Sequence, residues 1–192
     1  ILHAGRYAYG KDCVSASAVK SPISPFVPRE LDEDGIEAQI ADIVTAAVRA
    51  REAGYDGVEV MGSEGYFLNE FLVTHTNRRT DGWGGGYSSR MRLPVEVVAR
   101  VRAAMGPSEV LIYRISLIDL VPDGSTWDEV VQLAKAIEGA DILRALGNAR
   151  RPMLLCKLAM AGEKTVGALA RPSASVSRRC RSIWRRSATG TS

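Results

Sequence analysis

A carboxylate and a phenol lie two residues apart in the segment Ser63-Glu-Gly-Tyr66. They follow Gly57-Val-Glu-Val-Met61, a short apolar-rich run that predicts a buried strand. Proteins with parallel α/β sheets or barrels place catalytic groups at the carboxyl ends of their strands. A phenol at such a position can supply a proton to a substrate. The alternative is a half-buried loop tyrosine beside a carboxylate that only accepts backbone N–H bonds.

The elements predicted around this segment alternate between helix and strand. Their order, read from apolar periodicity, implies parallel strands joined by right-handed crossovers, as in a doubly wound sheet or part of a (β/α)8 barrel. Pro94 favours a late start for the second helix, nearer residue 92, because proline fits only the first turn. The predicted elements are the end of a strand at 1–2, a long loop at 8–31, helices at 32–53, 88–105 and 126–138, strands at 57–61, 109–115 and starting at 140–143, and a helical turn near 66–72.

The composition is that of an ordinary globular protein. The chain has 192 residues, of which 46% are apolar and 24% charged, enough for one domain with a core. No apolar run approaches the length of about 18 residues that crosses a membrane, and the three cysteines are too widely spaced to suggest disulfides or a metal site. These features predict a cytoplasmic protein. Because the chain starts with Ile1 rather than Met, we expect it to be a piece of a longer protein.

The charge changes sign abruptly along the chain. Residues 1–143 carry 14 Lys and Arg against 21 Asp and Glu, whereas residues 144–192 carry 11 against one acid. We therefore predict a domain over 1–143 and a basic tail over 144–192, whose Arg, Ala, Ser, Gly and Pro content favours disorder. Three origins stay open for the tail: a non-native continuation from a shifted reading frame, a genuine disordered tail or, least favoured, an arm that binds nucleic acid.

Four segments, taken in order, resemble the Old Yellow Enzyme family of FMN-dependent (β/α)8 reductases. The order and spacing of the four make the resemblance specific, although any one alone would be weak. It covers about residues 1–143 and implies an α/β fold, a partial TIM barrel with about strands 3 to 6. The segments are His3-Ala-Gly-Arg6, Gly57-Val-Glu-Val60 with Gly65-Tyr66, Thr76-Asn-Arg-Arg-Thr-Asp81 with Gly84-Gly85 and Arg90, and Tyr113-Arg-Ile-Ser116.

The loop after the strand at 57–61 departs from typical members of that family. Those members carry His at the position of Met61 and either His or Asn at the position of Glu64. Met cannot donate a hydrogen bond and a carboxylate would repel an enolate, so a simple ene-reductase for quinones and enones is disfavoured. Met61 and Glu64 resemble the bacterial NADPH-dependent 2,4-dienoyl-CoA reductase branch, whose proton donor is the tyrosine. Enzymes of that branch also hold FAD, a 4Fe-4S cluster and NADPH at sites outside this chain.

The resemblance implies a role for each matched residue. Tyr66 would be the general acid, and Glu64 would orient the substrate or Tyr66. Arg114 would lie beside the N1/O2 edge of the flavin, with an ion pair to Glu59 as the alternative. His3 would support the flavin pocket, where a structural role is at least as well supported as a direct one.

The segment His75-Thr-Asn-Arg78 lies where the branch contacts its acyl-CoA thioester. His75, Thr76, Asn77 and Arg78 are accordingly predicted to bind substrate, and Arg78 with Arg79 would attract the coenzyme A phosphates. Two alternatives stay open. Asn77 would instead fix the turn near Gly84-Gly-Gly86, and the arginines would be solvated charges.

The predicted parent function is NADPH-linked reduction of a 2,4-dienoyl-CoA through FMN, with a small acyl-CoA substrate and neither a membrane nor a nucleic-acid partner. No metal ligands are predicted. Because the strands that hold the flavin phosphate in the family find no match here, the chain is expected to be inactive alone. Two alternatives remain: another NADH:flavin oxidoreductase of the same superfamily, or a non-enzymatic binding protein that uses the basic tail.

Overall fold

The computed structural model describes residues 4–8, 10 and 12–141, and of Asp141 only the backbone. Four strands and five helices are present in this part of the chain. In chain order they are β1 (Val14–Ser15), β2 (Arg29–Glu30), α1 (Glu33–Glu52), β3 (Gly57–Gly62), α2 (Phe67–Leu72), α3 (Tyr87–Arg90), α4 (Arg92–Met105), β4 (Val110–Ile115) and α5 (Trp127–Asp141).

The helix α1 matches its predicted span to within one residue at each end. It begins after Asp32, whose side chain accepts a hydrogen bond from the Gly35 N–H at 2.8 Å. Such a cap satisfies one of the backbone donors that the first helical turn leaves free. One face, carrying Ile36, Ile40 and Ala47, is buried. The amphipathic pattern that predicted the helix therefore also fixes which side of it faces the core.

The strands β3 and β4 form a parallel pair in continuous register, from Gly57 opposite Val110 to Gly62 opposite Ile115. The chain between them passes through α2, α3 and α4, as a parallel connection requires. Gly62 allows a close approach in this pair, because a β-carbon there would lie 2.0 Å from the Tyr113 hydroxyl. Any larger residue at this position would displace the aromatic side chain of β4.

The core lies between one face of this pair and the helices α1, α4 and α5. Val60 and Leu111 contribute the buried strand residues, and Phe71 and Trp83 are the largest side chains that are almost fully enclosed. Pro94 lies in the first turn of α4, as expected from its missing N–H. None of the helices within 12–141 is both long enough and apolar enough to cross a membrane.

Two predictions about the elements need correction. The strand predicted from Ala140 is wrong at its first two residues, because α5 continues through Ala140 and Asp141. The loop predicted at 8–31 contains β1 and β2, which pair in parallel over two residues each. The strand predicted at residues 1–2, the rest of that predicted at 140–143 and the tail at 144–192 lie outside the described residues.

Candidate active site

The face of the β3–β4 pair that points away from the helices is open. Glu59 and Met61 of β3 lie opposite Ile112 and Arg114 of β4, and all four are exposed. We call these four residues the open face. Successive side chains of a strand point to opposite faces of the sheet, so every second residue of β3 and β4 belongs to the open face and the others to the core face.

An ion pair joins the two strands on the open face. Arg114 Nε donates to Glu59 Oε1 at 2.8 Å, and Arg114 Nη1 lies 3.8 Å from Glu64 Oε1. The hydrogen bond with Glu59 raises the pKa of Arg114 further, although a guanidinium stays charged in proteins in any case. The pairing of Arg114 with Glu59 that the sequence allowed as an alternative is therefore present. Because both side chains remain partly exposed, the guanidinium is still accessible from the open face.

Glu64 lies in the turn that leaves β3, with a positive φ of 62°. Few residues other than glycine adopt this left-handed conformation, so the turn is held by its contacts. One of these contacts is the Glu64 N–H, which donates to Ser116 Oγ at 2.9 Å. The loops that follow β3 and β4 are thereby tied together, and the Glu64 carboxylate is held on the same side as Arg114.

Tyr66 lies at the start of α2, and 46% of the residue is exposed. Its backbone N–H donates to the Ser63 carbonyl at 3.1 Å, which closes the turn. Its ring meets the ring of Tyr7 edge to face, with centroids 6.2 Å apart and planes at 74°. The phenol is thus positioned by backbone and ring contacts, and no hydrogen bond of its hydroxyl is found among the described residues.

Glu70 is a buried carboxylate that the sequence analysis missed. It lies on α2, one turn after Tyr66, and is completely buried. The Arg6 N–H donates to its Oε1 at 2.8 Å and the Ser15 hydroxyl donates to its Oε2 at 2.6 Å. Burial raises the pKa of Glu70 to about 7, against the lowering effect of these hydrogen bonds and of the Arg6 charge.

The four residues predicted to bind substrate at 75–78 fall into two pairs. Thr76 and Asn77 are buried and bind backbone: Thr76 Oγ1 donates to the Glu70 carbonyl at 2.8 Å, and Asn77 Nδ2 donates to the Phe71 and Trp83 carbonyls at 2.7 and 2.8 Å. These contacts are those of the turn-fixing alternative. His75 is half-buried, and the Arg78 side chain is exposed. Only His75 and Arg78 therefore have surface to offer a ligand.

Arg79 does not share the exposure of Arg78. Its guanidinium is buried, pairs with Asp81, and donates to the carbonyls of Ala16 and Leu31. It fastens the loop after α2 to the segment that contains β1 and β2. The expectation that it attracts coenzyme A phosphates with Arg78 is therefore wrong, because its charge is already used inside the fold. His3 lies outside the described residues, and no group of three candidate metal ligands is found within them.

The chain matches the model of the NADH:flavin oxidoreductase / NADH oxidase family over residues 1–150. It belongs to this family. The NADH oxidase of Thermoanaerobacter brockii is 38% identical to this chain over 147 aligned residues, with coverage of 74% of the chain and 23% of that relative. The metal reductase of Desulforamulus reducens is 38% identical over 146 residues, which cover 22% of its length. The chain therefore spans less than a quarter of these two relatives.

Two solved structures of reductases share the fold of this chain. An Old Yellow Enzyme homologue from Zymomonas mobilis is 31% identical with a TM-score of 0.66, covering 73% of this chain and 44% of that one. A 2-naphthoyl-CoA reductase in complex with 2-naphthoyl-CoA is 25% identical with a TM-score of 0.69, covering 96% of this chain and 34% of that one. The predicted resemblance to the Old Yellow Enzyme family is thus confirmed, and the described α/β unit corresponds to part of a TIM barrel.

Membership of this family implies FMN as the cofactor, and the open face fits one edge of it. Arg114 presents a charged, partly exposed donor of the kind that stabilises negative charge on a reduced flavin. The neighbouring Met61 is exposed and apolar, as contact with a flat aromatic ring requires. Within residues 4–8, 10 and 12–141 we assign no residue to the FMN phosphate. The fit therefore covers the ring and not the whole cofactor.

Proposed function

We propose that this chain carries the proton-donating and substrate-orienting part of an FMN-dependent reductase for conjugated acyl thioesters. The observation that carries the proposal is the position of Tyr66, which is half-exposed at the carboxyl end of β3, beside Glu64 and the open face. Arg114, on the adjacent strand, would hold the flavin ring, and bound FMN supplies hydride to the substrate.

Tyr66 would act as general acid in this reaction. Addition of hydride to the far end of a conjugated thioester builds negative charge toward the carbonyl group. A phenol near the α-carbon can then transfer its proton to carbon, which completes a two-electron reduction and leaves the product with one carbon–carbon double bond fewer. The Tyr7 ring and the Ser63 carbonyl restrict the movement of Tyr66, so its hydroxyl is directed from a defined position.

A 2,4-dienoyl-CoA is the substrate that we favour, with NADPH as the electron source of the whole enzyme. Met61 and Glu64 replace the hydrogen-bond donors that typical members use for a carbonyl oxygen, which argues against simple enones. A solved structure of similar fold is a 2-naphthoyl-CoA reductase in complex with 2-naphthoyl-CoA, and this supports a conjugated acyl-CoA thioester as the substrate class. The exposed Arg78 and half-buried His75 remain available for the coenzyme A portion.

We propose further that the described segment does not catalyse this reaction alone. The open face exposes Ile112 and the Glu59–Arg114 pair, which the remaining strands of a barrel would cover. Without those strands, one side of any bound flavin ring would be left to water. The full chain should therefore fail to retain FMN at a one-to-one ratio, as measured by visible absorbance after gel filtration. Retention of one FMN per chain would contradict this part of the proposal.

A chimera tests the catalytic part. Residues 1–141 would replace the matching segment of the Thermoanaerobacter brockii NADH oxidase, which supplies the rest of the barrel. The chimera should bind FMN and reduce a 2,4-dienoyl-CoA anaerobically with NADPH or NADH. Tyr66→Phe should lower kcat by about 10² to 10⁴-fold, the usual range for a positioned general acid. Reduction of the flavin by the nicotinamide should be unchanged.

Tyr55→Phe is the matched control, because Tyr55 is an exposed tyrosine at the opposite end of β3. It should leave every rate unchanged. Full activity of the Tyr66→Phe chimera would overturn the assignment of the proton donor. A chimera that oxidises NADH with oxygen but reduces no dienoyl thioester would instead favour another oxidoreductase of the same family.

A further inference from the structure

We propose that Glu70 is a positioning residue for Tyr66, acting through the Arg6 amide and the Tyr7 ring, and that only its ionised form performs this role. The inference rests on the proposed function of Tyr66 as proton donor. It assigns to a buried carboxylate, one helical turn away, the control of where that donor is held.

The first step is the bond between Glu70 and the segment 4–8. The Arg6 N–H donates to Glu70 Oε1 at 2.8 Å, and this bond joins residues 64 positions apart in the sequence. Gly5 adopts a φ of 93°, a conformation that favours glycine, and a β-carbon there would be in van der Waals contact with Glu70 Oε1 at 3.6 Å. The backbone of Gly5 and Arg6 is therefore shaped around the carboxylate.

The second step is the contact from this segment to the donor. Tyr7 follows Arg6 directly, and its ring lies edge-on to Tyr66. The same ring closes over Gly65, where a β-carbon would lie 3.2 Å from the Tyr7 ring. The Arg6 guanidinium lies over the Tyr7 ring at 5.2 Å and donates to its hydroxyl at 3.3 Å. Tyr7 is thus held from one side by Arg6 and supports Tyr66 and Gly65 on the other.

The third step is the match of hydrogen-bond type. Both side-chain oxygens of Glu70 accept, one from the Arg6 N–H and one from the Ser15 hydroxyl of β1. A carboxylate meets both donors, whereas a protonated acid brings a donor of its own to one of these bonds. Of the described groups around the carboxylate, Ser15 contributes the hydroxyl and Arg6 the positive charge.

Burial destabilises the ionised form of Glu70, so that this carboxyl group titrates near neutral pH. It raises the pKa of Glu70 to about 7, despite the bonds from Ser15 and Arg6. Below that pH the acid form predominates and the bond from Arg6 is weakened. The Tyr7 ring, and with it the Tyr66 phenol, would then be held less firmly. The placement of the proton donor should consequently depend on pH between about 6 and 8.

Nuclear magnetic resonance of the full 192-residue chain tests this inference without any cofactor or turnover. Labelling with ¹⁵N-arginine reports the Arg6 amide, and ring-labelled tyrosine reports Tyr66; variants Arg6→Lys and Tyr66→Phe assign the signals. Both signals should titrate together with one midpoint within about one unit of pH 7. The signal of Tyr55, at the far end of β3, should not follow them.

Two variants separate Glu70 from other groups. Glu70→Gln keeps an acceptor and a similar volume but cannot ionise. The chemical shifts of the Arg6 amide and the Tyr66 ring should therefore stay constant over the same pH range. Ser15→Ala removes one donor to the carboxylate, so the midpoint should move upward. A titration that persists in Glu70→Gln, or an Arg6 amide that does not titrate in the unmodified chain, would overturn the proposal.

These outcomes are distinct from those of the chimera. If the Arg6 and Tyr66 signals titrate as expected while the Tyr66→Phe chimera keeps its activity, Glu70 positions a tyrosine that is not the donor, and the proposed function fails. If Tyr66→Phe abolishes reduction while the signals stay flat with pH, the donor is correct and the positioning role fails.

Discussion

The two faces of the β3–β4 pair differ although the same two strands form both. On the core face, Val60 and Leu111 are enclosed by helices. On the open face, Glu59 and Arg114 pair across the strands beside exposed Met61 and Ile112. The two faces therefore contribute differently: the core face buries apolar side chains, whereas the open face presents a partly exposed ion pair that contributes little to stability.

The largest expected difference is between neighbours in β4. Leu111 is 7% exposed and Ile112 is 49% exposed. Leu111→Ala should lower the free energy of unfolding by about 2 to 5 kcal/mol, because it leaves a cavity under the helices. Ile112→Ala, the matched control, should cost less than about 1 kcal/mol. Urea denaturation followed by circular dichroism measures both. Equal losses would show that the open face is covered in solution and would remove the distinction between the faces.

An intermediate effect is expected from the buried carboxylate Glu70. The folded-state pKa of Glu70, about 7, lies above its ordinary value of 4.5. Between these two values the folded state binds more protons than the unfolded state, so stability is greatest below the lower value and is lost as pH rises through the upper one. The contribution lost is about 3 kcal/mol.

Replacing Glu70 should remove this pH dependence. The difference in unfolding free energy between Glu70→Gln and the unmodified chain should grow as pH rises from about 5 to 8, in favour of the variant. Glu59→Gln, on the open face, is the control for loss of a carboxylate that is partly exposed. Parallel pH profiles for the unmodified chain and Glu70→Gln would mean that the carboxyl group is hydrated rather than buried.

The smallest effect on stability is expected on the open face itself. Arg114 and Glu59 are paired but partly exposed, so Arg114→Ala should leave the free energy of unfolding nearly unchanged. In the chimera, the same change should weaken FMN binding, which fluorescence quenching of the flavin measures. Arg100→Ala is a suitable control because Arg100 forms an exposed pair with Glu37 on the outer helices. A large loss of stability for Arg114→Ala would place the pair in the core.

The sequence predicted the elements whose pattern is long enough to read. The helices α1 and α4 and the strand β4 follow from periodicity, and Pro94 marks the first turn of α4. The strands β1 and β2, with two residues each, are too short for any periodic signal. The end of α5 was misplaced because Ala140 and Asp141 are followed by the apolar residues Ile142 and Leu143. So short an apolar segment is compatible with either a helix or a strand.

The site was predicted unevenly for a physical reason. Tyr66, Glu64 and Arg114 stand out because polar groups at strand ends are recognisable in sequence. Whether Asn77 binds backbone or a ligand depends on distant carbonyls, which no local pattern shows. Glu70 left a signal that was overlooked. It lies among Phe67, Leu68, Phe71 and Leu72, and so short a helix with apolar residues on every side has no solvent face for a carboxylate.

The left-handed backbone at Glu64 has a consequence for redesign of the specificity of this site. Asn and His tolerate a positive φ better than most residues, and they are what typical family members carry at this position. A change from Glu64 to Asn would therefore relax the turn rather than strain it. The backbone therefore does not oppose a substitution at position 64 that would let the site hold a carbonyl oxygen. Under the proposed function, the substrate rather than the backbone accounts for the glutamate, and directed evolution toward enones should find position 64 early.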